Sequence, residues 1–270
     1  MTVDNRFLIK KFESFENIFV LFSQTTKLPF IECDEETFDD QIYVFTDEAR
    51  TKEFAQKYTK EKILLIAVKI PKPQIKPFLS GLYSIGVNAL VVQDEGAPVR
   101  VELEQLAPKP DLEAMKAEPV PKLNPELQLT ALYFLQELRR PVERTPEEKK
   151  QLRALEEEMA VNLMKSRFIV AVDVTDVEGE WNPKDRNQKV KIPFVKNKEG
   201  NIFQPCYSDL GEFKKFNARN KNAKFRLMAV PYEDLPKYLI RDSKGYVFNP
   251  AGFNLTLTRE QLEQMKKNYA

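Results

Sequence analysis

The sequence predicts an α+β fold: a tandem repeat of two related mixed-sheet units with packed helices, joined by a proline-rich linker and a helical hairpin. Three observations carry this. Residues 46–68 align without gaps on residues 208–230 at a constant offset of 162, with seven of the 23 positions identical. Lys27-Leu28-Pro29-Phe30-Ile31 upstream echoes Lys191-Ile192-Pro193-Phe194-Val195, and Glu104-Gln105-Leu106 downstream echoes Glu260-Gln261-Leu262, in the same order. Short apolar runs alternate with stretches of helical period, as in a layered α+β domain. A second explanation of the echoes is that each copy is a generic strand, turn, helix and strand.

Each copy reads alike. An apolar strand opens it, residues 18–22 or 168–172. A second strand holds the Pro-Phe pair, where proline suits a strand start or an edge. A third follows at 42–45 or 202–207. Thr46 or Ser208 then stands where an N-cap belongs, its hydroxyl able to accept from a free first-turn amide. The helix after Thr46 puts Phe54 and Tyr58 four apart on one face. Residues 63–68 or 225–230 form a strand rich enough in aliphatics to be central. A proline-marked helix is expected at 73–84 or 233–240, then strands at 89–92 or 246–248 and at 99–103 or 254–257. Asn249-Pro250-Ala251-Gly252 is a turn signal. Thr258 and Gln261 have capping-box spacing, so a terminal helix is expected over 259–267.

Between the copies, residues 107–123 carry Pro108, Pro110, Pro119 and Pro121 and read as a stiff extended linker. Asn124-Pro125 and Thr145-Pro146 each open a helix. Leu152, Leu155, Met159 and Leu163 lie on one stripe of the second. The two helices are expected to form a hairpin packed on the second copy, or else a dimerisation arm. The boundaries expected are therefore 1–106, 107–123 and 124–270.

Composition narrows the chemistry. The chain has no histidine, which excludes Ser-His-Asp and Cys-His catalysis and histidine-ligated metal sites. Its two cysteines, Cys33 and Cys206, make no disulfide framework and are expected to be semi-buried. Neither glycine-rich phosphate-loop pattern occurs. The start lacks an apolar stretch with a small-residue cleavage site, so a cytoplasmic location is expected, and no apolar run is long enough to span a bilayer. Net charge is −4 over residues 1–106, −1 over 107–165 and +6 over 166–270, an asymmetry that bears on association.

Four constellations stand out. Lys214, Lys215, Arg219, Lys221 and Lys224 fall in an acid-free stretch interleaved with Phe213, Phe216 and Phe225, a possible anion- or partner-binding patch or a solvated helix-to-strand connection. Glu32 to Glu36 with Asp39 and Asp40 form an acidic cluster without the fixed spacing and central glycine of a calcium loop; it reads as surface or as a dock for a basic partner. Asp47 and Asp209 occupy equivalent first-turn positions, where the helix dipole favours an acid. Trp181, in the polar loop 173–189, is either a partner anchor or part of a lid.

The second half also resembles a known family. Asn124-Pro125-Glu126-Leu127 opens a helix, and Asn162-Leu163-Met164 precedes Phe168-Ile169-Val170-Ala171-Val172. Ile192-Pro193-Phe194, residues 204–216, Gly245-Tyr246-Val247-Phe248-Asn249-Pro250 and residues 255–262 follow. This pattern resembles the SseB, or enhanced serine sensitivity, domain of bacterial proteins over about residues 124–266, with a degenerate copy at about 17–106. The resemblance implies a fold but no agreed activity, so it supplies no catalytic residues. No cofactor is expected and no metal site. The expected function is a non-enzymatic protein-interaction or adaptor module, acting on another protein or on itself, without nucleic acid or membrane. The alternative is a metabolite-binding regulator or enzyme with a cleft between the repeats.

Overall fold

The computed structural model describes residues 6–111, 120–182, 185, 188–218 and 222–269. Residues 112–119 of the expected linker, with Arg219 and Lys221 of the basic stretch, lie outside them. The chain divides into two compact units, Met1–Asp111 with Gln128–Glu156, and Leu112–Leu127 with Glu157–Ala270. The units therefore do not follow the boundaries read from the sequence. Much of the helical pair groups with the first unit, whereas the sequence suggested packing on the second.

In the first unit α1 (Arg6–Ser14) precedes β1 (Asn17–Ser23), β2 (Glu32–Cys33) and β3 (Asp40–Phe45). Helix α2 (Glu48–Thr59) leads to β4 (Leu65–Pro71), α3 (Lys72–Leu82), β5 (Ala89–Gln93) and β6 (Val99–Glu102). The sheet order is β4-β1-β3-β5-β6, with β2 also on β3. Only β3 and β5 run parallel, Gln41 opposite Ala89 through Phe45 opposite Gln93. Phe19, Leu21, Phe30 and Phe45 form a core cluster against which Tyr43, Phe54, Tyr58, Ile63 and Leu65 pack.

Helices α4 (Pro125–Leu138) and α5 (Pro146–Lys165) follow. Gln136 holds α4 to the first unit by pairing its amide with the backbone of Ile31 in both directions, at 3.2 and 3.1 Å. Tyr133 donates to Asp40 Oδ1 at 2.6 Å, and Arg140 donates to the Glu61 carbonyl. The capping box at the start of α5 forms as read: the Thr145 amide donates to Glu148 Oε2 and the Glu148 amide to Thr145 Oγ1.

The second unit contains β7 (Arg167–Asp173), β8 (Val195–Lys196), β9 (Ile202–Cys206), α6 (Leu210–Asn217), β10 (Phe225–Pro231), α7 (Leu235–Tyr238), β11 (Gly245–Phe248), β12 (Leu255–Thr258) and α8 (Arg259–Tyr269). Strand β10 pairs with β7, and the order β12-β11-β9-β8 makes a four-stranded sheet. A bridge of Ile169 with Tyr207, 2.7 and 3.0 Å between their amides and carbonyls, links β7 to the end of β9. In the first unit Phe19 stands opposite Phe45 in the same way. Strands β9 and β11 are parallel, like β3 and β5. The two mixed-sheet and helix units are thus structurally similar, strand by strand.

Their surroundings match at the aromatic level. Phe54 lies 5.2 Å from Phe45, and Phe216 lies 5.7 Å from Tyr207, both ring pairs tilted. Register corrects one part of the sequence alignment. Pro71 pairs with Asn17 and Pro231 with Arg167, so β4 and β10 correspond at an offset of 160, two less than in the preceding helix. A slip of two keeps every side chain on its face, which is why the ungapped alignment still looked sound.

Three further expectations are corrected. The Pro-Phe pairs are not strands: Pro29 makes only an isolated bridge to Phe22, and in the second unit the bridge falls at Lys191 with Asp173. The aliphatic strand β4 is not central but outermost, paired on one side only, with β1. Cys33 is exposed and Cys206 fully buried, so neither is semi-buried.

Candidate functional site

In open sheets with parallel strands, ligands gather outside the strands' carboxyl ends. The parallel pairs β3–β5 and β9–β11 single out those positions here, and each carries a polar cluster. The N-caps are Asp47 and Asp209, one residue beyond the hydroxyls the sequence suggested. Asp47 Oδ1 accepts from the Arg50 amide at 2.8 Å and Asp209 Oδ1 from the Glu212 amide at 3.0 Å. A carboxylate both caps the free amides and complements the helix dipole.

The displaced hydroxyls have another task. Thr46 Oγ1 donates to Asp94 Oδ1 at 2.9 Å, just past the end of β5. In the second unit Asn249, just past β11, donates from Nδ2 to Ser208 Oγ at 2.8 Å and accepts from the Ser208 amide at 2.8 Å. Each unit therefore ties the entrance of its helix to the end of the neighbouring parallel strand. Lys11 and Arg50 close the first cluster, on the Asp94 carboxylate and carbonyl respectively. The side-chain hydrogen bond from Lys11 and that from Thr46 hold the Asp94 carboxyl below its ordinary range against the opposing effect of burial.

The second cluster is the more buried. Asp209 and Glu212 are each 2% exposed, and Ser208 and Asn249 are wholly covered. Glu212 Oε1 meets Lys215 Nζ at 2.6 Å. The carboxylate sits against Gly252, where a Cβ would lie 2.3 Å from Oε2. Asn249 reaches this position with a left-handed φ of 47°, and the Gly252 amide donates back to its carbonyl at 2.8 Å. The sequence marks Asn249 only as the start of a turn and leaves Glu212 unmarked. The signals were present: Asp209 and Glu212 have capping spacing, and Asn-Pro-Ala-Gly is a turn that needs a left-handed residue.

A cavity of about 240 Å³ lies within the first unit, walled by Phe30, Ile31, Ile63, Leu64 and Leu155 and edged by Lys62, Glu32 and Tyr133. Tyr58 donates to Glu32 Oε2 at 2.8 Å beside it. Burial, and then the Glu32 carboxylate, push the neighbouring Tyr43 phenol up to about 12.

The sequence candidates are scattered by the fold. Lys214 and Lys215 end the short helix α6, and Lys215 is engaged by Glu212. Lys214 and Lys224 are exposed. Trp181 is half-buried in a loop closed by Gln188, which accepts from the Asn182 amide at 2.7 Å and donates to the Glu180 carbonyl at 2.9 Å. In the acidic loop Asp34 accepts from the amides of Glu36 and Thr37, which lowers its pKa. Among the described residues no group of three or more acids and cysteines is placed to hold a metal ion.

A family model for the SseB protein N-terminal domain matches residues 148–264. Most of the second unit is therefore similar to that domain; α4 and, apart from residues 148–156, the first unit lie outside the match. No curated protein matches. Two solved structures do: Tic22 from Plasmodium falciparum, 11% identical over 96% of each chain, and Anabaena Tic22, described as protein transport, 11% identical over 98% of each chain. Their TM-scores are both 0.22, so neither likeness carries a functional argument.

Proposed function

We propose that this chain is a non-enzymatic protein-interaction module built from an internal duplication. One observation carries the reading. At the strand ends where a sheet of this kind offers catalytic groups, the carboxylates of Asp47 and Asp209 face their own helices and cap them. The like placement of Thr46 with Asp94 and Ser208 with Asn249 supports descent of both units from one ancestor. Large apolar side chains stand outside instead: Phe7, Phe38, Ile66, Phe194 and Tyr238 are all exposed. These side chains are offered to a partner in this reading. The lysines at 214 and 224, and Trp181, are further contacts that a partner would use. A cytoplasmic site of action in a bacterium fits the reading.

The test uses the full chain, because a cut in the proline segment would strip residues 128–156 from the first unit. Immobilised full chain, against bare resin and against heat-denatured chain, is challenged with native lysate. The reading expects a reproducible set of proteins, at least one of which binds again when purified. Retention of no protein overturns it, and turnover of a metabolite by the full chain in a substrate screen would put an enzyme in its place.

A further inference from the structure

We infer that the outer edge of β4 binds an extended peptide as an added strand, and that the neighbouring cavity takes one large apolar side chain of that peptide. This rests on the interaction reading and names the partner's chemistry. Strand β4 pairs with β1 along its whole length, from Asn17 opposite Pro71 to Ser23 opposite Leu65. Among the described residues no hydrogen bond from another element reaches its far edge. An antiparallel strand points alternate amides and carbonyls outward, so this edge offers a row of backbone groups to a seventh strand.

Natural edges of this kind are blunted with charge, proline or bulges. Here the guards stand only at the far end, Lys69 and Pro71. Leu64 and Ile66, two apart on one face, are each 39% exposed. A strand whose composition suits a sheet centre has been left at the rim.

The cavity lies beside the start of β4, with Ile63 and Leu64 in its wall next to Ser23 and Thr25. At about 240 Å³ it is smaller than the usual pocket for a free small molecule, about 300–1,000 Å³. It is large enough for one bulky side chain. Backbone pairing with a side-chain pocket beside it is the recognised mode of strand addition.

Charge sets the rest of the partner. Lys60 and Lys62 precede the strand and Lys69 lies within it, and none has an ion-pair partner among the described residues. Lys62 is held at the cavity edge by a left-handed φ of 58°. Lys62 and Lys69 are seven positions apart, about 23 Å along a strand. The peptide is therefore about seven residues long, with acidic side chains toward its two ends, apolar ones opposite Leu64 and Ile66 between them, and a large apolar residue near the end that meets Lys62.

Random heptapeptides displayed on phage are panned against the full chain, and one enriched peptide, labelled with fluorescein, is titrated by anisotropy. Lys62→Glu and Leu155→Trp are the variants. The first reverses the charge at the same left-handed position, and the second fills the cavity from a half-exposed site; circular dichroism checks both folds. The inference expects acidic ends around an apolar middle among the enriched peptides and about tenfold weaker binding for each variant. Enrichment without that pattern, or unchanged affinity in both variants, overturns it. Concentration-dependent sedimentation of the wild type that Leu155→Trp abolishes would assign the edge to a second copy and also overturn it. If lysate proteins are retained equally by wild type and Leu155→Trp, the edge site fails while the interaction reading stands. If neither retains any, the reading itself fails.

Discussion

Replacing Asp47 and Asp209 by alanine, one at a time, separates two equivalent caps by their burial. Asp47 is exposed, and its loss removes one cap bond, so Asp47→Ala should cost about 1 kcal/mol. Asp209 is 2% exposed and accepts from both the Glu212 amide and Ser208 Oγ, at 3.0 and 2.7 Å. Its loss removes the cap and also strips an acceptor from a buried hydroxyl, which adds about 1–3 kcal/mol. Water no longer has to be withheld from a carboxylate, which offsets part of that. Asp209→Ala should therefore cost about 2–4 kcal/mol, and Asp209→Asn, which keeps an acceptor oxygen, clearly less. Urea unfolding of the three variants and the wild type measures this. An Asp209→Ala cost equal to or below that of Asp47→Ala would refute the reasoning.

Other predictions follow from single contacts. At Gly245 a Cβ would fall 2.0 Å from the Leu257 carbonyl oxygen and 2.7 Å from Thr258 Cα, both backbone, so Gly245→Ala should break the β11–β12 pairing and unfold the second unit well below the wild-type midpoint; an unchanged midpoint by circular dichroism would contradict it. Burial, and for Tyr43 the nearby Glu32, raise the Tyr43 phenol to about 12 and push Tyr58 and Tyr133 higher, so the folded state prefers them neutral. That stability is complete below pH 10, where free phenols begin to ionise, and is lost as pH rises toward 12. Absorbance at 295 nm should show these phenols ionising together with unfolding rather than before it. Burial also pushes the Cys206 thiol up, while Cys33 is exposed, so a thiol reagent should modify one cysteine in the native chain and two in denaturant; two fast native reactions would contradict the packing.

The order of elements was legible in the sequence because caps, turns and apolar runs are local signals. Thr258 with Gln261 and Thr145 with Glu148 closed the boxes their spacing announced. Strand position in the sheet was not legible. Ile63 to Val68 has the composition of a central strand, but composition cannot say whether a second neighbour arrives, and for β4 none does. The cap itself slipped by one residue, since Thr46-Asp47 and Ser208-Asp209 each offer two good capping groups and only the angle of entry chooses between them. Nor was the hold of α4 on the first unit legible. It depends on Gln136 meeting Ile31 and Tyr133 meeting Asp40, pairs some hundred positions apart that carry no local mark. The Gly252 contact with Glu212 is of the same kind.

Amide hydrogen exchange on the full chain, with and without a purified partner from the lysate capture, asks most directly whether this molecule works through its surface edge or through its buried polar clusters. The account predicts slowed exchange across residues 63–70, with residues 208–212 and 249–252 unchanged. Protection confined to those two polar segments, with the β4 edge exchanging as before, would contradict it.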